Sequence, residues 1–153
     1  MRARTMLGAA VAAAGLSVAG GAVAGAAPMR AADLQVDVAP YLVGDTVYFS
    51  AGGANCSIHP DGSAGCDIPA GIAKWYNILP VTDLVIDIPF LPAHPEWVQH
   101  GQPGSLSLPS DANGYDSTIS YAGASCYGGG RGAIGCTSKG HSFSFGWSGT
   151  QTS

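Results

Sequence analysis

Charged residues are scarce in this chain of 153 residues. They make up 10% of the sequence, against about 25% in typical globular domains. Six residues are Lys or Arg and ten are Asp or Glu. Nucleic acids and anionic lipid surfaces are bound by clustered Lys and Arg. We therefore predict no nucleic-acid partner.

Amphipathic helices are also missing, because no window repeats apolar residues at helical spacing. The sequence instead has 23 Gly and 10 Pro, which favour turns and short strands. The long apolar run from Leu7 to Ala24 has no second counterpart further along. Beyond this run, we expect no membrane span.

The N-terminal segment is typical of a secretory signal peptide. Two arginines precede the apolar run, and Ala24-Gly25-Ala26 fits the small-x-small rule for cleavage. Cleavage there makes residues 1–26 the signal peptide and residues 27–153 a single secreted domain. Ala22-Val23-Ala24 is an alternative cleavage site. A membrane anchor is the alternative to cleavage, but a Gly-rich stretch is a poor spanning helix.

The four cysteines all lie in the predicted exported part, and they form two C-x9-C pairs: Cys56 with Cys66, and Cys126 with Cys136. An oxidising compartment makes disulfides the default state of such cysteines. In structural zinc sites, paired cysteine ligands are usually separated by about two to four residues, so the x9 spacing does not suit a zinc site. The cysteines are interpreted as structural staples of a secreted or extracytoplasmic envelope protein.

The surroundings of the two pairs repeat seventy residues apart. The matching segments are Gly53-Ala54-Asn55-Cys56 with Gly123-Ala124-Ser125-Cys126, and Gly65-Cys66 with Gly135-Cys136. If the two cysteines of a pair oppose each other on antiparallel strands, the first loop is Pro60-Asp61-Gly62. That is a type I turn with Gly at the left-handed position. The second loop is Gly130-Arg131-Gly132. Spacing therefore favours disulfides within each pair.

Alternating apolar and polar residues predict short strands along the chain. These strands lie at residues 34–38, 46–50, 55–59, 64–68, 84–88, 105–108, 118–121 and 142–147. In the last of them, Phe143, Phe145 and Trp147 share one face, which we expect to pack on the core. The tail 149–153 is expected to be loose.

Residues 69–104 are the least regular part. Pro89, Pro92 and Pro95 recur every third residue, which favours extended backbone. We interpret this segment as a rigid loop over a β-core rather than as a proline-rich ligand. The predicted fold class is all-β, a small antiparallel sandwich or barrel-like domain with two disulfide-stapled hairpins.

Catalytic and metal-binding patterns are not found. The segment Gly140-His141-Ser142-Phe143-Ser144 resembles a nucleophile elbow, but its fifth residue is not Gly and no acid and His follow. The histidines lack metal-site spacing; they are His59, His94, His100 and His141. Asp83 and Asp87 are interpreted as two solvated strand positions. We predict no catalytic residue, no metal site and no cofactor.

Aromatic residues in the irregular regions carry the remaining functional clue. They are Trp75, Tyr76, Trp97 and Tyr115. Exposed aromatic rings form flat platforms that bind carbohydrate or protein. Capping the ends of a small β-core is the alternative role. Arg131, at the tip of the second hairpin, is a further candidate contact.

The chain resembles a group of small exported proteins of Gram-positive actinobacteria. The resemblance rests, in chain order, on the segments 49–56 and 66–68, on Cys126 and Gly135-Cys136, and on the segment 140–143. In that group, a strand ends F-x-S-P-S-G-N-x-x-C, and a late cysteine pair precedes G-H-x-F. This chain lacks the Ser-Pro-Ser-Gly turn and the extra mid-chain cysteines. The resemblance implies export and β-structure, and it implies no catalytic residue.

From these observations we expect a non-enzymatic secreted or cell-envelope-associated domain, a binding or structural module of unknown ligand. The partner would be an envelope component or an extracellular protein. The alternative is a secreted inhibitor or small-ligand carrier. Actinobacterial apoproteins of the enediyne-binding type look similar around one C-x9-C hairpin, but their second disulfide is spaced differently. A buried dry cavity would favour the carrier and a protruding rigid loop the inhibitor. An enzyme would need a His close to an acid in a pocket.

Overall fold

The computed structural model describes residues 34–110, 116–128 and 132–153. Over these residues the chain is all-β, as predicted. Its elements are β1 (Leu34–Gln35), a 3₁₀ turn (Ala39–Tyr41), β2 (Leu42–Val43), β3 (Thr46–Ala51), β4 (Ala54–Ile58), β5 (Ala64–Asp67), β6 (Ala73–Trp75), β7 (Leu79–Val81), β8 (Asp83–Ile86), β9 (Ser117–Tyr121), β10 (Ala124–Gly128), β11 (Ile134–Ser138), β12 (His141–Gly146) and β13 (Gly149–Thr152). The predicted signal peptide, Tyr115 and Arg131 lie outside the described residues.

The strands form a sandwich of two main sheets. A six-stranded sheet has the order β1-β9-β10-β11-β12-β13, and a five-stranded sheet has the order β2-β3-β4-β5-β8. A separate hairpin pairs β6 with β7. All named pairings are antiparallel except β1 with β9. One hydrophobic cluster contains side chains from both main sheets. No helix in the described ranges is long and apolar enough to cross a membrane.

The seventy-residue repeat is a repeat of structure. Strands β3, β4 and β5 correspond to β9, β10 and β11. The bounds of β4 and β10 coincide when shifted by seventy residues. The first hairpin of each unit turns through two residues with positive φ. These are Gly52-Gly53 between β3 and β4, and Ala122-Gly123 between β9 and β10. Such turns fit the right-handed twist of the strands they join. β8 and β12 then add the fourth strand of each unit.

Each predicted disulfide is confirmed, and each lies in the middle of a sheet. Cys56 pairs with Cys66 and Cys126 with Cys136, on directly opposed residues. A cross-link that closes so short a loop stabilises the fold by about 2–3 kcal/mol in the chain-entropy model. Disulfides of this kind are typical of extracellular or other oxidising compartments.

Both disulfides face the core and continue into rows of apolar side chains across neighbouring strands. One row is Phe49, Cys56, Cys66 and Leu84, and the other is Ile119, Cys126, Cys136 and Phe143. All eight side chains are buried. Because strand residues alternate between faces, these equivalent rows place both cystines on the inner face of the sandwich.

The first stapled hairpin has the predicted loop. His59 N–H donates to Ser63 O and Gly62 N–H donates to His59 O, both at 2.9 Å. Gly62 has a φ of 81°, which a residue with a Cβ adopts only at a cost. In the second hairpin, residues 129–131 lie outside the described chain, and Gly132 repeats the positive φ at 73°.

The C-terminal tail differs from the prediction. Residues 149–152 form β13, which pairs with β12 at the edge of the six-stranded sheet. The prediction of a loose tail was wrong because Gly149, Thr150, Gln151 and Thr152 include no apolar residue, so hydropathy carries no strand signal there. Backbone pairing and buried Thr150 hold this segment instead.

Other short strands differ from the sequence pattern in a similar way. Strands β2, β6 and β7 were not predicted, and the strand expected at 34–38 ends at Gln35. Residues 105–108 form no strand, but Ser107 makes an isolated parallel bridge with Ser50. Each of these segments has two to five residues, too few for a periodic signal to stand out.

A long segment pairs with β8 at the edge of the five-stranded sheet and then reaches over the outer face of the sheet. We call residues 88–101 the strap. Val85 N–H donates to His94 O (2.9 Å) and His94 N–H donates to Val85 O (3.1 Å). Gly65 has no side chain where the ring of His100 lies: a Cβ there would be 2.7 Å from that ring. The strap is therefore in direct contact with the sheet.

The tip of the first hairpin is tied to the opposite sheet. Asp61 Oδ1 accepts hydrogen bonds from the hydroxyl (2.7 Å) and backbone N–H (2.9 Å) of Ser63. Its Oδ2 accepts one from Lys139 Nζ (3.2 Å), in the turn between β11 and β12. The bonds from Ser63, followed by the Lys139 ammonium, lower the pKa of Asp61 from 3.8 to about 2.

Asp61 should therefore make the fold acid-sensitive in a defined range. A lowered pKa in the folded state adds stability above the unfolded pKa, and this is lost as pH falls from about 4 to about 2. Exposure of the side chain keeps the effect small. We expect Asp61→Asn to be less stable than the parent at neutral pH, with the difference shrinking below about pH 4 and vanishing below about pH 2, in urea unfolding series.

Asp45→Asn, an exposed carboxylate next to β3, serves as the control. A carboxyl resonance of Asp61 that titrates near pH 4 in an NMR titration would contradict this account.

Candidate functional site

The structure separates the predicted aromatic residues by role. Trp75 is half-buried against the core, and its Nε1–H donates to Ala93 O at 3.0 Å. Tyr76 is exposed, with its ring centroid 4.7 Å from that of Trp75. Trp97 is 69% exposed and lies in the strap. Trp75 thus has a structural role, whereas binding through Tyr76 and Trp97 stays a prediction.

Trp147 is an exposed aromatic residue that sequence reasoning missed. Strict alternation predicted it on the core face with Phe143 and Phe145, which are indeed buried. The strand ends at Gly146, however, and Trp147 lies in the two-residue turn to β13, with 80% of it exposed. Trp-Ser between two glycines is a hairpin-turn signal, and it could have revealed this position.

Trp147 lines an open cleft at one end of the sandwich. The cleft has a volume of about 650 Å³. Its side-chain lining is Ile72, Lys74, Asn77, Trp147 and Thr150, and its glycine lining is Gly52, Gly71, Gly132, Gly146 and Gly149. We call this feature the end cleft.

Glycines bring several turns close together at the end cleft. A Cβ on Gly52 would lie 3.3 Å from the Gly132 Cα, and a Cβ on Gly146 would lie 3.0 Å from the Ala133 Cα. The β3–β4 turn, the β10–β11 loop and the end of β12 can approach this closely because they lack side chains there. Five of the ten residues that line the cleft are glycines, so no side chain covers their main-chain groups.

The β6–β7 hairpin forms another side of the end cleft. Asn77 N–H donates to Lys74 O (3.0 Å), and both Tyr76 and Asn77 have positive φ. Both residues lie in the turn of this hairpin, where positive φ suits a tight connection between antiparallel strands. Lys74 N–H donates to Thr150 Oγ1 (2.9 Å), which fastens the hairpin to β13. This hydrogen bond connects two of the segments that line the end cleft.

Two carboxylates hold the strap on the sheet. Asp67 and Asp83 are directly opposed on β5 and β8. Asp67 accepts the backbone N–H groups of His100 and Gly101, each at 2.9 Å. Asp83 Oδ2 accepts those of Glu96 (2.7 Å) and Trp97 (2.9 Å). Four main-chain donors are therefore matched to two acids.

The interpretation of Asp83 as a solvated position was wrong. Asp83 is 2% exposed, because the strap covers it. Its Oδ2 also lies 3.4 Å from the Nε2 of His100, another buried side chain. Hydrogen bonds from the strap take the place of water at Oδ2, whereas Oδ1 is buried and has no hydrogen-bond partner among the described residues. This burial depends on a segment more than ten residues away, which the local pattern could not reveal.

A hydrogen bond to the Asp83 carboxylate holds the backbone at Trp97 in place. Trp97 has a φ of 57° and donates its N–H to Asp83, so its exposed ring projects from a held main chain. On the same strap, Phe90 is 85% exposed. The strap therefore carries a second exposed aromatic surface.

Replacing Asp83 with Asn should loosen the strap. Loss of the charge weakens two hydrogen bonds to a buried carboxylate, and bonds to charged groups contribute about 1.5–3 kcal/mol each. We expect the amide protons of Glu96 and Trp97 to exchange faster with solvent, and the free energy of unfolding to fall by about 2 kcal/mol. Hydrogen-exchange NMR and urea unfolding measure the two effects.

Asp37→Asn, a change of the same charge at an exposed position, should leave both quantities unchanged. Unaltered protection of both strap amides in Asp83→Asn would show that the carboxylate does not hold the strap.

The end cleft and the strap differ in chemistry. The cleft combines an exposed indole, an amide and an ammonium side chain with main-chain polar groups. The strap presents aromatic rings on a backbone held from below. Comparisons with protein-family models, with curated proteins and with solved structures find no match for this chain.

Proposed function

We propose that this protein is a non-enzymatic, secreted or cell-envelope-associated binding module, and that its end cleft binds a glycan of the envelope. The observation that carries the proposal is Trp147, 80% exposed at the wall of a glycine-lined cleft. An exposed indole beside a cleft is a favoured binding platform, because its large flat ring can be covered by a partner while its N–H finds a polar group.

A glycan fits the chemistry of the end cleft. The apolar face of a sugar ring can stack on the Trp147 indole, as aromatic platforms require. Sugar hydroxyls can bond to the Asn77 amide and to the main-chain groups that the glycines leave open. Low overall charge also suits a neutral polar ligand better than a polyanion.

Export supports a partner in the envelope. Two disulfides are typical of an extracellular or oxidising compartment. Residues 1–26 read as a signal peptide, and the chain resembles small exported actinobacterial proteins. On these grounds we propose that the protein acts outside the cytoplasm of an actinobacterium.

A binding role suits the surroundings of Ser142, the serine in the elbow-like segment. Ser142 lies in β12, and its hydroxyl contacts the Ser153 hydroxyl at 2.8 Å. The adjacent His141 ring contacts the main-chain oxygens of Pro89 (3.0 Å) and Ser153 (3.2 Å). These contacts tie strand ends together and do not activate a nucleophile.

A secreted inhibitor is the second candidate, and the strap favours it. Trp97 is exposed where the Asp83 carboxylate holds the backbone of the strap, and Phe90 is exposed earlier in the same segment. A preorganised loop of this kind loses little entropy when it binds a protein. A carrier with a dry cavity is less favoured, because large side chains such as Phe49 and Phe143 fill the space between the sheets.

Co-sedimentation with isolated envelope of a mycolate-bearing actinobacterium tests the proposal. We expect the oxidised protein to pellet in moderate salt, and Trp147→Ala to bind about 30-fold more weakly, since a central Trp contributes about 2 kcal/mol to binding. Trp97→Ala is the matched control, an exposed tryptophan outside the end cleft, and it should pellet like the parent.

The variant that loses binding identifies the binding surface. If Trp97→Ala abolishes pelleting and Trp147→Ala does not, the strap is the binding surface and the end-cleft proposal fails. If the parent protein stays in solution, the envelope proposal fails and extracellular proteases become the ligands to test.

A further inference from the structure

Three side chains with metal-ligand atoms converge where the strap crosses β8. One nitrogen of His94 and one carboxylate oxygen each from Asp87 and Glu96 all lie within 4.8 Å of one another. The His94 Nε2 is 3.6 Å from the Asp87 Oδ1. Neither the end cleft nor the exposed aromatic rings of the strap include these residues.

Backbone hydrogen bonds set the positions of all three residues. His94 pairs with Val85, and Asp87 lies two residues after Val85, so their side chains emerge on the same side of the sheet. Glu96 lies two residues after His94, and its N–H is bonded to the buried carboxylate of Asp83 at 2.7 Å. The convergence therefore belongs to the held part of the strap.

The His94 ring is oriented by a main-chain carbonyl. Its Nδ1 lies 3.0 Å from Pro92 O, which can only accept a hydrogen bond. Nδ1 must then carry the proton, and a neutral ring presents a lone pair at Nε2. Metal-binding histidines usually donate their second ring N–H to a carbonyl or carboxylate in this manner.

The group that Nε2 faces is also an acceptor. The Asp87 Oδ1 is buried and has no hydrogen-bond donor among the described residues. Lys139 approaches Asp87 at its main-chain oxygen (2.6 Å) and leaves that carboxylate atom free. A lone pair opposite a buried carboxylate oxygen is unfavourable unless a cation lies between them, either a proton on Nε2 or a metal ion.

We propose that Asp87, His94 and Glu96 form a binding site for a divalent transition-metal cation of the zinc class. One imidazole and two carboxylates are donors that Zn²⁺ accepts, with water as a fourth ligand, whereas Ca²⁺ and Mg²⁺ prefer oxygen alone. Zinc–ligand distances of about 2.0–2.1 Å place tetrahedral ligand atoms about 3.4 Å apart, close to the 3.6 Å between the His94 Nε2 and the Asp87 Oδ1. The two carboxylates neutralise the charge of the ion.

Isothermal titration of the tag-free, oxidised protein with zinc chloride tests the site. We expect one ion per chain and a raised melting temperature, because the ion binds the folded state alone. His94→Gln and Glu96→Gln should each weaken binding by more than about 100-fold, beyond the loss of about 10–100-fold seen when outer-shell partners are removed. His141→Gln, a histidine outside the cluster, should bind zinc like the parent.

Glu96 has an exposed side chain, so Glu96→Gln tests the site even if His94→Gln unfolds. Long-range ¹H–¹⁵N spectra should also show the Nε2 resonance of His94 shift on zinc addition. Absence of binding at millimolar zinc would overturn the proposal and leave a His94–Asp87 ion pair. Equal zinc affinity in the parent and in Glu96→Gln would also overturn the proposal. Magnesium binding as tight as zinc binding would overturn it as well.

Discussion

The buried cystine in the middle of each sheet is the constraint on which the rest of the structure depends. Each one joins the central strands of a four-strand unit and continues into a row of apolar side chains on both sides. A domain with so many glycines loses much chain entropy on folding. Two short covalent loops reduce that cost where the two inner faces meet.

This frame allows the outer features to be irregular. The turn between β12 and β13 leaves the Trp147 indole exposed, beside a strand, β11, that is cross-linked to β10. On the outer face, Asp67 and Asp83 bind main-chain donors of a proline-rich strap that has no regular secondary structure of its own. Both proposed sites, the end cleft and the metal cluster, therefore lie on backbone that is held by the frame.

Sequence patterns predicted the parts that depend on neighbouring residues. Cysteine spacing and turn glycines such as Gly62 are local, and they gave both hairpins and the pairing of their cysteines. Strand β13 was missed because a polar edge strand has no apolar alternation. Trp147 was misplaced because the strand ends one residue before it. The burial of Asp83 arises from contact with the distant strap, which no local pattern contains.

Peptide mapping of the unreduced protein tests the two-cystine frame most directly. Trypsin cuts after Arg30, Lys74, Arg131 and Lys139 and releases the peptides 31–74, 75–131 and 132–139. The structure predicts that 31–74 carries both of its cysteines in an internal disulfide, and that 75–131 is recovered joined to 132–139. A cross-link from 31–74 to either of the other peptides, or a free thiol in any of them, would contradict the account.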